Sequence, residues 1–128
     1  MLTLKRSLCT ECEICMAICS WTHFGENTTK RACINIEADW PKTPTVRVCL
    51  ACKEHECVAA CPHEALTWQN WIQLDKSQCD GCAACVDACP VQGVQIDKQT
   101  GFPLICDTCE GRYQCVQWCP TRAVQKKE

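Results

Sequence analysis

Long apolar runs are missing from this sequence. No stretch approaches the ~20 consecutive apolar residues that a membrane helix needs, so no direct membrane insertion is expected. The opening, MLTLKRSLCTEC, has no apolar run ahead of a small-residue cleavage site. That predicts no secretory leader and a cytoplasmic location, where thiols stay reduced. Glycine is scarce, with five residues in 128, and none belongs to a phosphate-cradling loop. Neither a flavin site nor a nucleophile with its base is present, so the chain itself is not expected to be an enzyme. Charge of one sign is lacking as well: 13 basic against 15 acidic residues leaves −2, which argues against nucleic acid as a partner. Without its cysteines, the aliphatic and aromatic share is roughly one third, a thin core for this length. A chain with so little to bury is expected to depend on cofactors to fold.

Cysteine is what the sequence has in excess, 17 of 128 residues. Sixteen of them form four quartets. The most regular is Cys79-x2-Cys82-x2-Cys85-x3-Cys89-Pro90, and Cys9-x2-Cys12-x2-Cys15-x3-Cys19 repeats its spacing with Ser20 in place of the proline. Cys49-x2-Cys52-x4-Cys57-x3-Cys61-Pro62 carries a longer middle gap, filled by Lys53, Glu54, His55 and Glu56. Cys106-x2-Cys109-x5-Cys115-x3-Cys119-Pro120 is longer still. Three thiolates on a tight loop suit three irons of one cubane [4Fe–4S] cluster, and the fourth cysteine, a helical turn further on, can reach a neighbouring cluster. Zinc knuckles use paired CxxC units and often histidine, without this third cysteine and CxxxC ending. Disulfides do not fit a reducing compartment. Iron–sulfur binding is therefore expected, and cluster charge would make the loaded protein markedly acidic.

Between quartets the chain reads as short strands and turns. Leu2–Lys5 alternates as a strand; Ile34 and Ile36 pair with Val46 and Val48 across the turn Asp39–Pro44. Thr67-Trp68 and Trp71–Leu74 flank Gln69-Asn70 as a second hairpin, and Val94–Asp97 and Phe102–Ile105 flank Lys98–Gly101 as a third. Ala123–Gln125 is a final strand, followed by a solvated Lys126–Glu128 tail. Val58–Cys61, Val86–Cys89 and Val116–Cys119 read as one or two helical turns stopped by proline. The unit is an internal repeat of quartet, short helix and hairpin.

The remaining chemistry-bearing residues have plain readings. Cys33, outside the quartets, is expected to be a small buried apolar residue. His23, His55 and His63 are expected to be solvated or hydrogen-bonded, His55 and His63 being near enough to the second quartet to tune a cluster. The five tryptophans are expected to pack over clusters, and Trp21, Trp40, Trp68 and Trp71 also suit a docking patch. Gly81 would let backbone N–H groups approach cluster sulfurs; Glu11, Ala51 and Thr108 occupy the corresponding places in the other loops.

On its four quartets, which cover nearly the whole chain, the sequence resembles the four-cluster ferredoxin-type electron-transfer subunits of oxidoreductases. These serve molybdenum or tungsten enzymes such as formate dehydrogenase, aldehyde oxidoreductase and benzoyl-CoA reductase, and hydrogenases. The resemblance implies an α+β fold, with short helices and β-hairpins in two interlocked ferredoxin-like halves around iron–sulfur clusters. Residues 1–128 would form one compact unit, the inner half at about 46–105 and the outer half at about 1–45 plus 106–128, which brings the chain ends together. It also implies four [4Fe–4S] clusters with exchanged ligands. Cys9, Cys12 and Cys15 take Cys119; Cys106, Cys109 and Cys115 take Cys19; Cys49, Cys52 and Cys57 take Cys89; Cys79, Cys82 and Cys85 take Cys61. The implied partners are a large catalytic subunit, molybdenum or tungsten foremost, and a second redox protein. A free, diffusible polyferredoxin-like carrier is the alternative.

Overall fold

A computed structural model describes residues 2–50, 52 and 54–126. Ala51, Lys53, Lys127 and Glu128, named above, lie outside the described residues. The fold is α+β, four short helices among four separate antiparallel strand pairs. Strand β1 (Leu2–Leu4) is followed by a 3-10 turn at Arg6–Leu8 and helix α1 (Ile14–Phe24). Next come β2 (Asn35–Glu37), β3 (Thr45–Arg47), α2 (Glu56–Ala60), β4 (Leu66–Trp68) and β5 (Ile72–Leu74). The chain ends with α3 (Ala84–Ala88), β6 (Gln95–Ile96), β7 (Pro103–Leu104), α4 (Gln114–Trp118) and β8 (Val124–Lys126).

Three of the strand pairs are the local hairpins β2–β3, β4–β5 and β6–β7, with Ile36 opposite Val46, Thr67 opposite Gln73, and Ile96 opposite Pro103. The fourth pair is not local. β1 pairs with β8, Leu2 opposite Lys126 and Leu4 opposite Val124. Helix packing repeats this nesting: α1 lies on α4 and α2 on α3. The apolar residues divide the same way. One core gathers Leu2, Met16, Ile34, Val48, Leu104 and Val124 with Cys15, Cys19, Cys33 and Cys115; a smaller one gathers Leu66, Ile72 and Val94 with Cys57 and Cys85. Cysteine thus makes up much of both cores, as a chain short of other apolar residues requires. No helix among the described residues is long and apolar enough to cross a membrane.

The helices depart from the expected bounds. The three expected at Val58–Cys61, Val86–Cys89 and Val116–Cys119 begin two residues earlier and stop one short of the cysteine. Cys61, Cys89 and Cys119 are extended, with ψ of 115°, 116° and 114°. The following proline excludes the helical region for the residue before it. After Cys19 no proline follows, and α1 runs on to Phe24, with Gly25 in the left-handed region as its C-cap and its N–H on the Trp21 carbonyl at 2.9 Å.

Most of the tryptophans are exposed more than packing over clusters would require, as side chains of a docking patch would be. Trp40 is 86% exposed, and Trp21, Trp68 and Trp118 are exposed too. On α1 the buried stripe is Cys15, Met16, Cys19 and Ser20, one face of a helix, which turns Trp21 outward. Trp68 stacks on His55 with ring centroids 4.2 Å apart.

Candidate metal centres

Each quartet is held by the same local device. The residue immediately before each helix, Glu13, His55, Ala83 or Tyr113, has positive φ, between 46° and 64°. Two residues after the first cysteine, Glu11, Gly81 and Thr108 are also left-handed. For residues with a Cβ this conformation costs about 1–2 kcal/mol each. Such strain persists where the surroundings over-determine the backbone. Its recurrence in the quartet loops fits loops moulded to a bound centre. Gly81 shares this conformation with Glu11 and Thr108, and at Thr108 the backbone N–H also approaches a quartet sulfur, Cys106 Sγ at 3.4 Å. A Cβ at Gly81 would sit 3.1 Å from the Gly101 carbonyl oxygen.

The loops and helices bring cysteines of different quartets together. One cavity is lined by Cys9, Cys12, Cys15 and Cys119, with Leu4, Ile36, Val46 and Val124 among its walls. A second is lined by Cys106, Cys109, Cys115 and Cys19, together with Cys33 and His23. In the smaller core, the Cys57 thiol is pushed up to about 11 by burial and then by Cys49, Cys52 and Cys89. Cys85 is pushed up by burial and by Cys79 and Cys61. Burial raises Cys15 to about 12, with further repulsion from Cys115, Cys12 and Cys119, and raises Cys115 to about 12, with Cys109 and Cys19 adding to it. Crowded thiols that resist ionising together are stabilised as thiolates by a cationic iron–sulfide core, which is the donor chemistry such a group needs.

A single ion fits less well. Four sulfurs around one zinc at about 2.3 Å lie roughly 3.8 Å apart. Among the described residues, the groups of three potential ligands whose donor atoms fall within 4.8 Å of one another are Cys19, His23, Cys33 and His23, Asp107, Cys109. No three thiols of a quartet do so. Both rings of contact at His23 are already used: Nδ1 donates to the Cys19 carbonyl at 2.8 Å and Nε2 to Asp107 Oδ1 at 2.8 Å. Asp107, and then Cys19, hold the imidazolium and raise it to about 11. The neighbouring Cys33, and then His23, lower the Cys19 thiol well below the usual range.

Of the other two histidines, His55 departs from expectation: it stacks on Trp68 and its buried Nδ1 has no hydrogen-bond partner among the described residues. His63 pairs with Asp80 at 2.7 Å, tying the turn after the second quartet to the loop of the third, and the same Asp80 accepts the Cys82 N–H at 3.0 Å. Sequence reasoning missed Asp107 and the contact from Cys33; Ser20, the departure from Cys-Pro, was the available sign of both. It also missed Arg31, which reaches from the 20–45 segment to the buried Asp97 at 2.8 Å and lies over the Phe24 ring at 3.9 Å.

Comparison with known proteins agrees with this chemistry. The family described as 4Fe-4S dicluster domain matches residues 39–128. A polyferredoxin-like subunit of aliphatic sulfonate oxidoreductase from Pyrococcus furiosus is 32% identical over 102 residues, covering 77% of this chain and 59% of that protein. The beta subunit of NADH-dependent phenylglyoxylate dehydrogenase from Aromatoleum evansii is 32% identical over 106 residues, 78% of this chain and 24% of that one. The chain therefore spans between about a quarter and three fifths of the length of these relatives. Among solved structures, a chain of the BamBC active-site complex of benzoyl coenzyme A reductase superposes with a TM-score of 0.54 at 20% identity, over 100% of this chain and 76% of that one, a likeness of fold.

Proposed function

The chain belongs to the 4Fe-4S dicluster domain family, and from that premise we propose that it is the electron-transfer subunit of an oxidoreductase, with four [4Fe–4S] clusters. The ligand sets are Cys9, Cys12, Cys15, Cys119; Cys106, Cys109, Cys115, Cys19; Cys49, Cys52, Cys57, Cys89; and Cys79, Cys82, Cys85, Cys61. Bound there, such clusters supply one-electron transfer; the protein supplies spacing, insulation and potential. The observation that carries the reading is the meeting of quartets: Cys119 and Cys19 each line a cavity with three cysteines of the opposite quartet, Cys89 acts on Cys57 together with Cys49 and Cys52, and Cys61 acts on Cys85 together with Cys79.

The same contacts support a linear order of centres. Cys15 of the first set feels Cys115 of the second, and Cys106 of the second feels Cys49 of the third. Cys57 of the third shares an apolar core with Cys85 of the fourth. Two of the cysteines are exposed, Cys12 and Cys82, and they belong to the first and last sets of that order. The two ends are therefore read as ports. Exposed Leu8, Ile14 and Trp118 each precede a cysteine of the first set and form an apolar rim of the kind a permanent partner covers. The other end carries the exposed His63–Asp80 pair, suited to transient, charge-guided contact with a second redox protein.

The permanent partner is read as a large catalytic subunit, because the relatives are named as oxidoreductase and dehydrogenase subunits; molybdenum or tungsten as its metal is what the resemblance of the four quartets implies. Anaerobic purification from the native source with mass spectrometry of co-purifying chains tests this. A stoichiometric large subunit containing molybdenum or tungsten is expected. A lone, fully loaded chain would replace the subunit reading with that of a diffusible carrier.

A further inference from the structure

Two of the fourth cysteines receive a hydrogen bond from the backbone just beyond their proline turn. Ala65 N–H donates to Cys61 Sγ at 3.3 Å and Gly93 N–H to Cys89 Sγ at 3.1 Å, in each case four residues on. Quartet one cannot do this. Ser20 lets α1 continue, so the residue four beyond Cys19 is His23, inside the helix. The backbone donor to Cys19 Sγ comes instead from Cys33 N–H at 3.3 Å, 14 residues away, beside the His23 ring, whose Nδ1 lies 3.7 Å from the same sulfur. Cys33 is 5% exposed, and its Sγ lies within 4.8 Å of the Cys19 sulfur. Both line the cavity shared with Cys106, Cys109 and Cys115.

We infer that Cys33 is the positioning residue of this centre: its N–H replaces the backbone donor that proline turns supply elsewhere, and its S–H, on a sulfur within 4.8 Å of the Cys19 sulfur, adds a side-chain donor to it. The inference rests on Cys19 being a ligand beside Cys106, Cys109 and Cys115. A donor to a ligand sulfur draws electron density from it and favours the reduced cluster, which raises the potential. The role differs from that of a ligand, since the quartet is complete without Cys33, and from that of a filler, which leaves potentials alone.

The test compares Cys33→Ala and Cys33→Ser with the parent, purified anaerobically, by iron and sulfide content and EPR-monitored redox titration. Cys19→Ser marks the couple that belongs to this cavity. Cys33→Ala is expected to keep the parent's iron and to lower the potential of the couple that Cys19→Ser alters, leaving the others in place. Cys33→Ser, which keeps a donor, is expected to return that couple towards the parent value. Unchanged potentials in both Cys33 variants with iron retained would overturn the inference and make Cys33 a filler. Loss of one cluster's iron in Cys33→Ala, about four per chain, would overturn it by making Cys33 a ligand. A shift in a couple that Cys19→Ser does not alter would also overturn it, while leaving the ligand sets standing. If Cys19→Ser itself leaves every couple and the iron content unchanged, the ligand set fails and takes the inference with it.

Discussion

Gly93 lies where two backbones meet. A Cβ there would lie 2.6 Å from the carbonyl carbon of Val48 and 2.7 Å from the Cys49 nitrogen, distances that real side chains do not occupy. The obstacles are main chain, so nothing flexible can yield. The same residue donates its N–H to Cys89, and Cys49 and Cys89 belong to one proposed ligand set. A methyl at Gly93 therefore pushes apart two groups that must converge. Gly93→Ala is expected to lose about one cluster's iron, roughly four per chain, as measured by iron and sulfide assay. Retention of the parent's full iron would count against the pairing of Cys89 with Cys49. Ala65 and Ala123, the counterparts of Gly93, are buried and accommodate their methyls.

Helix α1 is the element that breaks the repeat, and it does so through Ser20. Its side chain is fully buried and its hydroxyl has no hydrogen-bond partner. What the position requires is a backbone N–H and a small side chain. Ser20→Ala is expected to be near neutral, because the hydroxyl contributes no bond to lose. Ser20→Pro, which would make the quartet match the other three, is expected to destabilise by about 3 kcal/mol or more. It would remove a helical hydrogen bond and shift His23 away from Asp107. Denaturant-dependent loss of the cluster absorbance under anaerobic conditions measures both; a Ser20→Pro protein as stable as its parent would show that the helix extension is incidental. The quartets, the three hairpins and the prolines as stops were legible in the sequence because each is a short-range pattern, whereas the meeting of the chain ends in β1 and β8 was implied by the family resemblance. The extent of α1 was not, since a missing proline permits continuation without requiring it. The contacts of Cys19 with Cys33 and of His23 with Asp107 span 14 and 84 residues, beyond the reach of local spacing. The outward turn of Trp21 was hidden for a related reason: the helical stripe that decides its direction is filled by Cys15, Met16, Cys19 and Ser20.

Across the whole molecule, the pairing of β1 with β8 and of α1 with α4 encloses one pair of cysteine sets, while α2 and α3 enclose the other. The proposed order of sets leaves an apolar rim around Cys12 and a polar one around Cys82. These ends are separable by mutation. Trp118→Arg, at a side chain 57% exposed, is expected to weaken binding of the proposed large subunit without changing iron content. Asp80→Lys is expected to keep the complex and slow reduction by the second redox protein, with the effect shrinking as salt is added. Size-exclusion chromatography and stopped-flow reduction distinguish the two; a Trp118→Arg chain that still elutes in full complex would remove the rim from the interface.

The central claim is that sixteen cysteines form four crossed ligand sets. Iron and acid-labile sulfide counted per chain in anaerobically purified protein, alongside Mössbauer spectra, test it most directly. About 16 irons and as many sulfides, all in cubane clusters, are predicted. A stable count near eight, with two clusters only, would contradict the account.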